Sequence, residues 1–292
     1  MKTIKYFFEF IIIVLLFLIF KLLGRKISSE LGCLIFKSFG TYFRSKERIY
    51  SNLKKAFPNI SNVMQKKNIN EMWCNFGRTF SEYVYLKQFR EYPERHIKIN
   101  GLDILESVKS QSIPTVFISG HFANFELMAM ELDRKHLNIA AIYRPLNNIF
   151  LNPLMEYWRK KYICKNQIPK KIPGKKGDGT RELLKAVQKK TNIAVMVDQS
   201  ITQGKKVNFF GEPAFTTSIP SQLVLKYNYQ IVPISILREN KYSFVMNVHN
   251  SIIIDKKIDT ELSIGEKINK EIEKMILKNP GQWIWTHNRW KT

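Results

Sequence analysis

Cysteine is scarce in this chain: three in 292 residues. Cys33, Cys74 and Cys164 show no CxxC spacing, so there is neither a zinc signature nor a disulfide framework, and a reducing compartment is expected for the main part of the chain. No GxSxG occurs, which argues against the nucleophile elbow of an α/β-hydrolase. No cysteine stands in a nucleophile context. The basic stretch 169–177, PKKIPGKKG, lacks the GK[ST] ending of a phosphate loop, so a nucleotide site is rejected. Acidic residues are also few, 24 against 47 basic, for a net charge of +23. That surplus asks for anionic partners: nucleic acid, an acidic membrane surface, or phosphorylated substrates and acidic carriers. It does not choose among them. There is no internal repeat and no low-complexity linker.

What is present begins with an apolar run over residues 7–23, broken only by Glu9 and Lys21. As a helix it reaches roughly 26 Å, just short of a comfortable bilayer span. A cleaved signal peptide needs a small-x-small site after the apolar core. Here KLLGRK follows, and the first alanine is Ala56. An uncleaved anchor, spanning or steeply inserted, is the expectation. Arg25, Lys26, Lys37, Arg44, Lys46 and Arg48 follow it and argue for a cytoplasmic main domain. The patch 31–39 is too short to span. Ile49, Leu53, Ala56 and Phe57 form a helical stripe that stops at Pro58, and Ser61 is placed to cap the next helix, to about residue 86. Trp73, Phe76, Phe80, Tyr83 and Tyr85 crowd the far end of that helix. Such a stripe is usually core; a groove for lipid is the alternative.

From Gly101 the texture changes. Candidate strands at 114–119, 138–143, 193–197, 231–237 and 242–249 alternate with candidate helices at 124–133, 149–163, 178–190, 218–228 and 261–278. This alternation predicts an α/β fold with a mostly parallel sheet flanked by helices. Three regions are expected: an anchor at 1–26, a helical membrane-proximal region at 27–100, and an α/β domain at 101–292, with 27–292 as one compact unit.

The chemistry concentrates in FISGHFANFE, residues 117–126. His121 falls in the turn from strand to helix and Glu126 in the first helical turn, where the two side chains can meet. A carboxylate on one ring nitrogen fixes the tautomer and leaves the other nitrogen as a base. A histidine with an acid five residues on also arises by chance at a strand end, so the pair alone does not decide. Ligands of α/β sheets bind at strand ends. Arg144, in YRPLNN (143–148), and Asp198, in MVDQ (196–199), are both placed there. Arg144 suits a phosphate or carboxylate, or is simply a surface arginine. Arg159 opens a basic run with Lys160 and Lys161 that otherwise reads as a solvated face. With no protein nucleophile, a histidine base would activate a hydroxyl of the substrate itself, and the group would transfer directly.

HFANFE, YRPLNN, MVDQ, FFGEPAFTT (209–217) and PGQWIWTHNRW (280–290), preceded by RIYSNLKKAFPNIS (48–61), resemble the late acyltransferases of lipid A biosynthesis. These are lauroyl and myristoyl transferases of the lysophospholipid acyltransferase superfamily. The resemblance runs nearly end to end and implies a glycerolipid-acyltransferase-like fold. It also implies transfer of a fatty acyl chain from an acyl carrier protein thioester to a hydroxyl of a phosphorylated lipid A precursor. The work would be done at the cytoplasmic face of a bacterial inner membrane, with no metal, cofactor or nucleic acid. By the same resemblance His121 is the general base and Glu126 its orienting acid. Asp198 is a second carboxylate, and which of the two polarises His121 is left open. Arg159 binds phosphate or stabilises an oxyanion, and Asn124, Arg144 and Asn147 bind substrate. A phospholipid or ornithine-lipid acyltransferase is the competing enzyme. A membrane-tethered protein binding anionic lipid or nucleic acid is the non-catalytic alternative.

Overall fold

The computed structural model describes residues 2–111, 113–170, 178–201 and 204–291. Most of the basic stretch 169–177 lies outside the described residues. Four helices open the chain: α1 (Lys2–Leu23), α2 (Arg25–Phe43), α3 (Lys46–Ala56) and α4 (Asn62–Glu82). Gly24, at φ 77°, makes the corner between α1 and α2. Ser45 and Ser61 cap α3 and α4 by accepting the N–H of Arg48 and Met64. Helices α2 and α4 cross at Gly32 and Gly77, where a β-carbon on Gly77 would stand 2.0 Å from the Gly32 carbonyl oxygen. One residue from that crossing, Cys33 is joined to Cys74 by a disulfide. This corrects the expectation that the cysteines stay unpaired: close helix packing, not sequence spacing, brings them together.

After α4 come α5 (Leu86–Glu91), β1 (Ile97–Asn100), α6 (Leu102–Ser110), β2 (Thr115–Ser119), α7 (Glu126–Arg134), β3 (Ile139–Tyr143) and α8 (Leu151–Trp158). Then follow β4 (Asn166–Pro169), α9 (Asp178–Gln188), β5 (Asn192–Met196), a hairpin of β6 (Lys205–Phe209) and β7 (Glu212–Thr216), α10 (Ile219–Tyr227), β8 (Gln230–Glu239), β9 (Ser243–Val248) and α11 (Glu261–Lys278). Among the described residues seven strands form one sheet in the order β1-β9-β8-β2-β5-β3-β4. Every neighbouring pair is parallel except β8–β9. The α/β fold with a largely parallel sheet is therefore as the sequence predicts.

Alternation along the central strands builds two cores. Val116, Ile118, Ile193 and Val195 pack toward α10, α11 and the α3–α4 pair. Phe117 and the strand residues beside it pack toward α7. Residues from α3 and α4 share a core with the sheet, so the helical region and the α/β region are built together. Helix α1 lays Phe17 and Phe20 against Leu151, Met155 and Trp158. It is held near both ends: Asn148 donates to the Tyr6 carbonyl at 2.8 Å, and Lys21 donates to the Val84 carbonyl at 3.4 Å. Its other side, including Phe8, Ile12, Leu15, Leu18 and Leu22, is exposed and apolar.

Three local differences from the sequence reading stand out. The segment 149–163 is not one regular helix: α8 ends at Trp158 and a π-helical turn, Arg159–Ile163, follows. The aromatic stretch 209–217, which by sequence suits a loop leading to a helix, is largely a hairpin strand, entered through a turn at Phe210 and Gly211, both at positive φ. Strands β1 and β4 were not foreseen.

Candidate active site

Strands β2, β5, β3 and β4 are parallel neighbours, so their carboxyl ends open on the same edge of the sheet. The residues that follow these ends are His121, Asp198, Arg144 and Lys170. The edge of an open parallel sheet is where the fold leaves room for a ligand.

Asp198 is buried, 2% exposed, and receives three N–H donors. Its Oδ1 lies 2.8 Å from His121 Nδ1, and its Oδ2 accepts the His121 backbone N–H and the Trp283 indole N–H, each at 2.8 Å. Burial works against the charge on Asp198, but His121 and the donated hydrogen bonds outweigh it and hold the carboxyl well below its usual range. An ionised Asp198 fixes the proton on Nδ1 and leaves Nε2 unprotonated, as an acceptor. The Gln199 amide nitrogen is 3.4 Å from Nε2. Gly120 makes the close approach possible: a β-carbon there would meet Phe122 at 2.8 Å and Asp198 at 3.2 Å.

Glu126 is the first residue of α7 and turns to other partners. Its Oε1 accepts from Arg159 Nε at 3.0 Å, from Arg159 Nη2 at 2.7 Å, and from the Tyr83 hydroxyl. The expected His121–Glu126 contact is not among the hydrogen bonds of the described residues; Asp198 takes that place. Burial disfavours the Arg159 cation, but Glu126 and Tyr83 more than offset it and hold its pKa above the ordinary value. Burial and Glu126 push the Tyr83 hydroxyl up, so it stays protonated and donates. Arg159 Nη1 is buried and has no partner among the described residues.

The turn that carries His121 is braced from beneath. Ala123 sits at φ 42°, a left-handed conformation that costs a residue with a β-carbon. Its carbonyl accepts from Thr79 at 3.0 Å and its N–H donates to the Gln282 carbonyl at 3.1 Å. Asn124 donates to Glu82 at 2.9 Å, and Glu82 is ion-paired with Arg238, both nearly fully buried. Asn124 is thus buried and ties the turn to Glu82 through its NH₂, while its Oδ1 has no partner among the described residues. Arg144 and Asn147 are exposed at the rim.

A cavity of about 400 Å³ runs from this edge under α7. His121, Glu126, Arg159, Arg144 and Lys170 line its polar part; Phe117, Met128, Ala129, Leu132, Ala141 and Ile234 line its apolar part. Among the described residues no cluster of three or more His, Cys, Asp and Glu forms a metal site.

Residues 1–292 match the family described as bacterial lipid A biosynthesis acyltransferase. The chain belongs to that family. Membership places it among acyl-transferring enzymes and sets aside the non-catalytic alternative. It is 29% identical to the lipid A biosynthesis acyltransferase of Haemophilus influenzae over 202 residues, which cover 67% of this chain and 60% of that protein's length. It is 23% identical over 274 residues to the lipid A biosynthesis lauroyltransferase of Escherichia coli K12, covering 90% and 85% of the two chains. The lipid A biosynthesis palmitoleoyltransferase of the same organism is 25% identical over 258 residues, covering 82% and 77%.

Within this acyltransferase, sequence reasoning missed Tyr83, Glu82, Arg238 and the indole of Trp283. Trp283 lies inside the PGQWIWTHNRW block, so a signal for its region existed. Tyr83 stood in the aromatic stripe with nothing to separate it from core residues.

Proposed function

We propose that this protein moves a fatty acyl chain from an acyl carrier protein thioester to a hydroxyl of a phosphorylated lipid A precursor, in one direct step. The observation that carries the reading is the unprotonated Nε2 of His121, whose Nδ1 is tied to Asp198, at the polar end of an apolar cavity. His121 Nε2 takes the proton of the acceptor hydroxyl. The hydroxyl oxygen attacks the thioester carbonyl, the C–O bond forms and the C–S bond breaks. The thiolate leaves and takes the proton back from His121. Charge gathers on the carbonyl oxygen in between, and the unspent Nη1 of Arg159 is the donor for it, held in place by Glu126. The acyl chain lies in the apolar part of the cavity. Arg144 and Lys170 at the mouth meet the anionic groups of incoming substrate. A thioester is already activated, so this chemistry calls for no cofactor.

Helix α1 is the membrane contact. With both ends held by the same domain, it lies along the interface and lays its exposed apolar face into the lipid rather than running away from the domain. The basic residues after it favour a cytoplasmic domain at a bacterial inner membrane. The Cys33–Cys74 bond speaks for the oxidising side. The carrier thioester, a cytoplasmic donor in this reading, decides us for the cytoplasm. Mass spectrometry of lipid A from a strain lacking this gene tests the acceptor. Loss of one acyl chain is expected. Unchanged lipid A with altered phospholipid or ornithine lipid would instead support the competing enzyme.

A further inference from the structure

A second cavity of about 420 Å³ meets the first at the base. Among the described residues the two share His121, Phe125, Gln199 and Arg44 and no other lining residue. Their chemistry differs. The first is floored by strands and α7 and is apolar beyond its mouth. The second is walled on one side by Trp73 and Phe76 of α4 and on the other by Thr286, His287 and Asn288, with Arg48 of α3 at its rim.

Four polar side chains of the second cavity, Arg44, Arg48, Thr286 and Asn288, are unspent among the described residues. Arg44 and Arg48 are exposed and make no ion pair or side-chain hydrogen bond among the described residues. Neither do the side chains of Thr286 and Asn288. His287 Nε2 accepts the Ser200 backbone N–H at 2.9 Å, so its proton sits on Nδ1 and is available to donate. Burial pushes the His287 pKa down, which keeps the ring neutral. The segment is held firmly, since Asn52 donates to the carbonyls of Trp285 and His287 at 2.8 and 2.7 Å. Two free guanidinium groups, a hydroxyl, an amide and an imidazole N–H facing an aromatic wall suit a phosphorylated sugar: charge-assisted bonds for the phosphate, neutral donors and acceptors for ring hydroxyls. A direct transfer needs both reactants at one nitrogen. Two chemically distinct cavities joined at His121 provide that.

We infer that the second cavity is the acceptor site, taking the phosphorylated sugar of the glycolipid with Arg48 and Arg44 on a phosphate and Thr286, His287 and Asn288 on the sugar, while the donor's acyl chain occupies the first. This rests on the reading given under Proposed function and adds which residues hold which substrate. The transfer itself is the step written there, with the hydroxyl arriving from the α4 side of His121.

The test is steady-state kinetics of the full-length enzyme in detergent, with an acyl carrier protein thioester as donor and a phosphorylated glycolipid, or its dephosphorylated form, as acceptor. Arg48→Gln should raise the acceptor KM about 10-fold or more, the worth of one charge-assisted bond, and leave the donor KM within twofold. Asn288→Trp, which fills the second cavity, should show the same asymmetry. Ala129→Phe, which fills the first, should show the reverse. Dephosphorylated acceptor should erase the Arg48→Gln difference. If wild type acylates the phosphorylated glycolipid but Arg48→Gln and Asn288→Trp leave its acceptor KM unchanged, the inference is overturned and the proposed activity stands. If wild type acylates no phosphorylated glycolipid, the proposed activity itself fails. Melting temperatures identify any variant that does not fold; Arg48 is exposed, so its substitution decides even if the cavity-filling variants unfold.

Discussion

Replacing Asp198 by asparagine changes one atom and should invert the base. The carboxylate receives three N–H groups: the backbone and Nδ1 of His121 and the indole of Trp283. Two of these reach the same oxygen, so the single oxygen of an asparagine amide is drawn to that position. Its NH₂ then faces His121 Nδ1, which must accept rather than donate. The ring proton moves to Nε2 and the base is lost. General-base catalysis contributes about 10²–10⁴-fold, so kcat should fall by that factor, a barrier increase of about 3–5 kcal/mol, with both KM values little changed. Stability should follow a definite sign. The Asp198 carboxyl titrates lower in the folded chain than in the unfolded one. Its stabilising contribution is therefore present above about pH 4 and is lost as pH falls through the folded value. The asparagine variant should lack this acid-side loss. A radiolabelled acyl-transfer assay and thermal melts at several pH values read both effects. A folded Asp198→Asn enzyme with near wild-type kcat would refute the tautomer argument and return the orienting role to Glu126.

Three further outcomes are expected. Glu82→Gln weakens a nearly fully buried pair with Arg238 and the support of Asn124; it should cost about 3–5 kcal/mol of stability, and an unchanged melting temperature would remove the brace from the account. The full-length protein should sediment with membranes and resist high salt, because burial of the apolar face of α1 holds it; acidic substitution of Leu15 and Leu18 should release it, and release of wild type by salt alone would refute the anchor. Alkylation of acid-quenched intact cells should find Cys33 and Cys74 as thiols if the domain faces the cytoplasm; a pair oxidised in most molecules would argue for the opposite orientation.

Much of the sheet was legible because its central strands are short apolar runs bounded by turn residues. The runs at 114–119 and 193–197 were read from composition and lie within a residue of β2 and β5. Strands β1 and β4 were not, since IKIN and NQIP are four residues each and owe their form to pairing with β9 and β3. At the site, Asp198 and Arg144 are legible by one rule, that strand ends of a parallel sheet face the ligand, and His121 by its place in a strand-to-helix turn with an acid five residues on. The division of labour between the two carboxylates was not legible. It depends on Tyr83 and Arg159 claiming Glu126, and on Trp283 and the neighbouring parallel strand bringing Asp198 to His121, contacts that span 33 to 85 residues. The π-helical turn that places Arg159 has no mark in WRKKYI. The disulfide was missed for the same reason: two glycines set the helix crossing, and sequence spacing does not reveal it.

The most direct measurement is acyl transfer by purified enzyme in detergent, with an acyl carrier protein thioester and a phosphorylated lipid A precursor, read by mass spectrometry for wild type and His121→Ala. Wild type should yield acceptor heavier by one acyl chain, and His121→Ala should form it about 10²–10⁴-fold more slowly. No acylated product from wild type, or equal rates from a folded His121→Ala protein, would contradict the assignment of His121 as the base of an acyl transfer to this lipid.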